Sequence, residues 1–394
     1  MRIAFDGTTL RPEQTGVGYY TEHLLHHLAA DDDSELVVLS NGPVRTSIPL
    51  AGRVQVVTSR RRLQRALWIQ TAAPALLRRL KPDVAHFTNS VGPCLTATPL
   101  IVTIHDMSLT LFPSYHPVRR ILLSRPLMKV TARRAAAIIT VSDSARRDIL
   151  RLCGVPADRV HVVHEAAAPS FRPVRDPITL HALRSRYGLA NRFILYVGTV
   201  EPRKNLVRLL EAFAVLKRKG LPHQLVCVGP LGWRYHDVRA AVARLELGED
   251  LRLTGYVPFG DLPGLYSLAE MFVFPSLYEG FGLPVIEAMA CGTPVITAST
   301  SSLGEIADGV AERINPLEVD DIARAIRRLA DDPDLRRELA SRGHDRARRF
   351  SWTRAARETL DVYRKTIGWP APSEDVTMAR GSWLMAQEEL LPKP

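Results

Sequence analysis

Glu279 and Glu287 stand eight positions apart in the run Tyr278-Glu-Gly-Phe-Gly-Leu-Pro-Val-Ile-Glu287. The residues between them are those that a phosphate-binding turn needs. Gly280 and Gly282 let backbone amides approach a ligand closely. A helix opening at Pro284 would aim its unpaired N–H groups and the positive end of its dipole at an anion. Two carboxylates flanking such a turn supply acceptors for hydroxyl groups, which is the outline of a sugar-nucleotide site. As a bare pair, however, two glutamates at this spacing read better as a turn cap and a solvated helix residue.

The surrounding elements place both acids together. An apolar strand, Met271-Phe-Val-Phe-Pro275, precedes them, and a helix from Pro284 closes at Gly292. Glu279 then lies on the strand-to-helix loop and Glu287 near the first turn of the helix. Both face a cleft at the carboxyl edge of a sheet, where open α/β folds bind ligands. The whole string, continued by Ala288-Met-Ala-Cys-Gly-Thr-Pro294, resembles the donor-site signature of family 4 glycosyltransferases, retaining enzymes of the two-domain GT-B class.

A second phosphate contact is expected from Val197-Gly-Thr-Val-Glu-Pro-Arg-Lys-Asn-Leu206. Arg203 and Lys204 stand where a helix would begin, an unfavourable place for cations unless they hold an anion. The segment resembles the family's phosphate motif, and Lys204 matches its lysine. Many members carry arginine directly after the glycine where this chain has Thr199, so Arg203 is expected to replace that charge. Gly16 and Gly18, in Gln14-Thr-Gly-Val-Gly-Tyr-Tyr20, form a bare G-x-G, which is a weak signal by itself. They resemble the family's glycine loop that admits the donor diphosphate. His105 and Asp106, just past a strand in Val102-Thr-Ile-His-Asp-Met107, match the family's His-Asp position. That resemblance implies that His105 stabilises the transferring sugar and that Asp106 helps to orient the site on the acceptor side. Val257, in Thr254-Gly-Tyr-Val-Pro258, resembles a base-contacting position. Ser301-Ser-Leu-Gly-Glu305 resembles another donor-site stretch. Phe281 and Leu283 are expected to offer amides, and Tyr19 and Tyr115 to line the acceptor pocket. Ser142 reads as a helix cap.

These positions need two sheets. Arg2–Asp6, Leu36–Leu39, Val54–Val57, Val84–Phe87, Leu100–Ile104 and Ala137–Val141 read as buried parallel strands alternating with helices. Phe193–Val197, Gln224–Val228, Leu251–Thr254, Met271–Phe274 and Pro294–Thr297 repeat the theme. The expected organisation is an α/β protein of GT-B type, two doubly wound parallel-sheet domains facing a cleft. Residues 1–172 would read the acceptor and 173–350 the nucleotide sugar, with a proline-rich passage at Pro169–Pro177 between them. A helix over 351–369 is expected, from the resemblance, to cross back to the first domain. Residues 370–394 read either as a short docking helix at Ser382–Leu391 or as disorder.

The 394 residues carry a formal charge of +11 and a sequence pI near 9.8, which attracts polyanions. No nucleic-acid-binding signature accompanies that charge. The basic stretch Arg60–Ile69 with Trp68 admits a peripheral membrane contact as a minority reading. No signal peptide or apolar run of spanning length is legible, so a cytoplasmic enzyme, peripheral at most on the inner membrane face, is expected. Cys94, Cys153, Cys227 and Cys291 lack metal or disulfide spacing and are expected to be reduced and buried. Asp31-Asp-Asp33 and Asp332-Pro-Asp334 lie outside the proposed cleft, so neither metal nor cofactor is expected beyond the nucleotide-sugar cosubstrate.

The combined expectation is a retaining, metal-independent sugar transferase for polysaccharide, glycolipid or glycoside synthesis. Its donor would be GDP-mannose first and a UDP sugar next. The acceptor would be a glycan, a lipid-linked sugar or a small molecule. A nucleotide-sugar epimerase, a non-catalytic sugar-nucleotide binder and an NAD-dependent oxidoreductase are the rivals, the last weakened by its incomplete glycine fingerprint.

Overall fold

The computed structural model describes residues 1–11, 16–50, 54–59, 63–232 and 235–369. Its first sheet contains β1 (Arg2–Asp6), β2 (Glu35–Ser40), β3 (Val54–Thr58), β4 (Val84–Phe87), β5 (Leu100–Thr103), β6 (Ala137–Thr140) and β7 (Val160–Val162). Their spatial order is β3-β2-β1-β4-β5-β6-β7. The second contains β8 (Phe193–Val197), β9 (Gln224–Val228), β10 (Leu251–Gly255), β11 (Met271–Phe274), β12 (Val295–Ala298) and β13 (Glu312–Ile314), ordered β10-β9-β8-β11-β12-β13. Every strand pair is parallel.

Central strands such as Val84–Phe87 and Met271–Phe274 are apolar and buried throughout, because helices cover both faces of a parallel sheet. Two expected buried strands behave differently. β3 and β10 sit at sheet edges and are partly exposed, having a neighbour on one side only. β7 and β13, three residues each, were not expected from the sequence because such short runs carry no periodicity.

The strand order reverses between β1 and β4 in one sheet and between β8 and β11 in the other. Ligands of open α/β sheets bind outside the carboxyl ends of strands at such points. The segments after β1 and β4, and after β8 and β11, flank those points.

The chain passes between sheets through residues 170–176, and Asp176 caps the helix Pro177–Tyr187 by accepting from two backbone N–H groups. The last helix, Trp352–Ile367, is capped by Ser351 and packs on the first-sheet helix Gly16–Leu28. Trp352 meets Tyr20 and stacks on His23. Tyr363 Oη lies 2.6 Å from His86 Nδ1, whose other nitrogen reaches Thr103 Oγ1 at 2.7 Å. Burial holds His86 neutral, its pKa pushed down to about 3.

Two surface expectations change. Trp68 is buried inside the helix Arg65–Leu80, so it cannot anchor a membrane; Arg60–Arg62 lie outside the described residues. Cys153, Cys227 and Cys291 are buried, but Cys94 is partly exposed. Among the described residues no helix is long and apolar enough to cross a membrane, and no three His, Cys, Asp or Glu side chains converge as a metal site. The expectation for residues 370–394 falls outside the described residues.

Candidate active site

Beyond β8 the chain makes one 3-10 turn, Pro202–Lys204, before the helix Leu206–Arg218 starts. Arg203 and Lys204 thus precede that helix on a separate turn instead of opening it. Asn205, in left-handed conformation at φ 60°, separates the two elements. Its amide donates to the carbonyls of Pro275 and Pro316, at 3.0 and 2.6 Å. This pins the turn against the loop after β11.

Both cations close on one acid. Lys204 Nζ donates to Glu279 Oε1 at 2.6 Å, and Arg203 Nη1 to Glu279 Oε2 at 2.8 Å. Arg203 also donates to the Tyr278 carbonyl at 2.6 Å and to Glu201 Oε1 at 2.7 Å. Ser276 Oγ adds a bond to Glu279 Oε1 at 2.6 Å. Burial would raise the Glu279 pKa, but Arg203 and Lys204 outweigh it and hold the carboxyl down at about 2. Burial lowers Lys204 despite Glu279 beside it. Arg203 is raised, since Glu279, Asp106 and Glu201 together overcome its burial. Two carboxylates, Glu201 and Glu279, therefore meet two cations in a nearly dry cluster.

The helix after this loop runs Leu283–Ala290, beginning one residue earlier than expected, with Pro284 in its second position. Gly282 caps it at φ 111°, a conformation that favours glycine. Pro284 has no N–H and the Val285 N–H turns back to the Gly282 carbonyl at 2.9 Å, so Leu283 carries the helix-start amide available to an anion. Phe281 packs away between His164 and Phe350.

Glu287 sits in the second turn of this helix, not the first. It is buried and accepts one hydrogen bond, from Tyr266 Oη at 3.0 Å. Burial pushes its pKa up to about 7, with the Tyr266 bond opposing. Tyr19 lies on the Glu287 side of the molecule, where that charge raises its phenol further beyond the effect of burial. Its ring meets Phe259 at 4.8 Å. Tyr19 thus stands between its own helix, where it meets His23 at 4.4 Å, and the second sheet's loops.

The first sheet supplies a histidine at the same place. His105 follows β5, and the backbone of Gly280 passes so close to it that a Cβ on Gly280 would lie 2.1 Å from the His105 carbonyl oxygen and 3.1 Å from Asp106 Cβ. Only glycine fits there. His105 Nδ1 lies 3.0 Å from Glu165 Oε1 and Nε2 lies 2.9 Å from the Thr88 carbonyl. Both partners are acceptors, an arrangement that favours a proton on each ring nitrogen. Burial would lower the His105 pKa, yet Glu165 and the Thr88 carbonyl raise it overall. Asp106 Oδ1 accepts from the Ser108 N–H at 2.8 Å.

Further bonds join the halves. Ser142 Oγ donates to the Gly280 carbonyl at 2.6 Å while also capping its own helix. Tyr278 Oη accepts from the Met107 N–H at 3.3 Å and donates to Asp148 at 2.8 Å. Glu305 accepts from the N–H groups of Asp143 and Ser144 at 3.3 and 3.1 Å. A carboxylate of the second half thus caps a helix of the first.

Arg203, Lys204, Glu279, Gly280, His105 and Asp106 are consequently neighbours, drawn from both sheets. Other expected positions fall differently. Gly16 and Gly18 belong to the first turn of the helix Gly16–Leu28 rather than to a loop, and a Cβ on Gly16 would meet nothing within 4 Å. Thr199 lies between interlocked loops, since a Cβ on Gly229 would strike the Gly198 carbonyl at 2.1 Å. Val257 is buried beyond β10. Tyr115 stacks on Phe112, which leans on Tyr278.

Sequence reading missed Glu165, because the three-residue β7 that positions it left no pattern. It also assigned nothing to Glu201, although the residue lies inside the quoted phosphate motif. Asp6 and Arg65 went unnoticed too. They pair at 3.1 Å at the carboxyl end of β1, with Arg65 Nε donating to Thr8 Oγ1 at 2.8 Å. An acid closing a first strand was the available signal.

Residues 14–170 match the family described as Glycosyltransferase Family 4, and residues 185–346 match Glycosyl transferases group 1. The chain is 33% identical to the O-antigen chain mannosyltransferase B of Escherichia coli, over 92% of this chain and 100% of that one. It is 30% identical to the alpha-D-kanosaminyltransferase of Streptomyces kanamyceticus, over 69% and 72% of the two chains. Among solved structures it resembles a sucrose-phosphate synthase from Thermosynechococcus elongatus at TM-score 0.75 and 21% identity, covering 94% of this chain and 100% of that one. The fold is therefore of the GT-B kind.

Proposed function

The chain belongs to glycosyltransferase family 4, and from that premise we propose a retaining, metal-independent mannosyl transfer from GDP-mannose to an acceptor hydroxyl, with UDP sugars as the next donor class. The convergence of Arg203 and Lys204 on Glu279 beside His105 carries this reading. A mannosyltransferase similar over nearly the whole chain favours the sugar.

Glu279 positions sugar hydroxyls, and Arg203 with Lys204 turns toward the diphosphate. Because Glu201 and Glu279 already balance those two cations and Glu165 stands against His105, surplus positive charge comes from the N-terminus of the helix opening at Leu283. These fixed groups act where charge develops as the bond from the anomeric carbon to phosphate oxygen breaks. The acceptor oxygen bonds to that carbon on the same face, and its proton passes to the departing phosphate. Glu287, Val257 and Thr199 belong to the nucleoside and diphosphate end. Tyr115, Asp6 and Arg65 border the acceptor side.

The proposal is tested by melting curves with GDP, UDP, ADP and dTDP and their common sugars, since bound ligand stabilises the folded state. GDP-mannose should raise the midpoint most. Unchanged curves with every nucleotide would overturn the reading. Anomeric analysis of the product by NMR separates retention from inversion.

A further inference from the structure

We propose that the first lobe docks on an anionic lipid bilayer through the exposed face of the helix Val118–Arg134. This helix holds six cations, Arg119, Arg120, Arg125, Lys129, Arg133 and Arg134, and no Asp or Glu. It packs inward through Met128, Thr131 and Ala132. The opposite face leaves Val118, Leu122, Leu123 and Val130 exposed by 70, 68, 49 and 44%. Val118, Leu122 and Val130 fall on one i,i+4 row completed by exposed Pro126, so the apolar groups form a ridge rather than scattered points.

The ridge continues onto neighbouring surface. Arg119 Nη2 donates to Gln64 at 3.1 Å, joining the helix start to the helix Arg65–Leu80, where Leu67 is 53% exposed. Gln70 of that helix holds the loop at Gly92 and Cys94, next to Leu95, which is 72% exposed. Contiguous exposed apolar groups of this kind mark an interaction surface. A ridge of aliphatic side chains flanked by cations suits the headgroup boundary of a negatively charged membrane. A second copy of the same face would oppose six cations to six, which disfavours self-association there.

The position also has meaning for the reaction, a step that rests on the transferase reading. The helix begins two residues after His116, and the intervening segment starts at Asp106 beside Gly280. Docking would therefore bring the acceptor side of the cleft to the lipid surface, where a lipid-linked acceptor resides.

Flotation of the full chain with phosphatidylcholine vesicles, with and without phosphatidylglycerol, tests the surface. The protein should float only with the anionic vesicles and detach as salt rises. The triple variant R120Q/R125Q/R134Q should weaken binding roughly a hundredfold, and L122S/V130S about tenfold or more. Both variants should keep the wild-type melting curve and the wild-type response to nucleotide sugars, which separates failure here from failure of the transferase reading. Equal flotation on both vesicles, flotation on neither, or unchanged flotation of both variants would overturn the proposal. A dimer in light scattering that L122S/V130S dissolves would also overturn it in favour of a second copy.

Discussion

Glu279 and Glu287 are the same side chain on one loop-helix unit, both buried, and they have opposite electrostatic lives. Glu279 is gripped by Arg203, Lys204 and Ser276 and held at about 2. Among the described residues Glu287 has a single neutral donor, Tyr266, and it is pushed up to about 7. The first is an ion whose charge is matched before any ligand arrives. The second is an acceptor whose charge the protein leaves unmatched, so hydroxyl donors from outside have something to satisfy. Residue type does not separate these roles; surroundings do.

Three substitutions test this contrast. Glu279→Gln leaves two buried cations short of a partner, and urea denaturation should show a loss of about 3–5 kcal/mol, with transfer falling roughly a hundredfold or more. A variant as stable as the parent would mean that the cluster is open to water. Glu165→Gln removes the carboxylate that keeps His105 charged. A raised histidine contributes stability below its unfolded pKa and loses it as pH climbs through the folded pKa, so the charged form is the low-pH form. The alkaline limb of the transfer rate should move to lower pH in Glu165→Gln, while donor KM changes little. An unmoved limb would assign Glu165 to packing alone.

Glu287→Gln should act most mildly and in the reverse sense. A carboxyl raised from 4.5 to about 7 binds more protons folded than unfolded between those values, so stability falls as pH rises through that window and then levels. The glutamine variant should escape this loss and be more stable than the parent at pH 8, by at most about 3 kcal/mol. Its nucleotide affinity should no longer tighten between pH 6 and 8. Urea denaturation across that range reads the first effect and calorimetric titration the second, and a parent whose donor affinity ignores pH would break the contrast.

The strands of both sheets were legible wherever both faces are buried, as at Met271–Phe274, because an unbroken apolar run between Gly- and Pro-containing turns has few other uses. The edge strand Val54–Thr58 looks the same in sequence yet is half exposed, since edge position is a property of topology that spacing does not record. In the site, Glu279 and Lys204 could be marked from motif resemblance, but not that one would hold the other. Glu165 is the clearest omission. Its pairing with His105 joins residues sixty positions apart across neighbouring loops, and nothing local to either announces it. Tyr19 shows a related limit: besides His23 on its own helix its ring meets Phe259 of the second half, a contact its sequence neighbours do not announce.

The last helix has an implication for how the molecule is made. Tyr20, His23 and His86 of the first lobe each gain a partner from the last helix, in Trp352 or Tyr363. The first sheet's final strand ends at Val162, 190 residues before Trp352 by subtraction. At about 5–20 residues per second, a ribosome needs on the order of 10–40 seconds to cover that distance. During that interval the nascent first lobe carries an uncovered apolar flank, and chains halted before Trp352 would leave it bare for good. The lobe translated first is thus the lobe completed last.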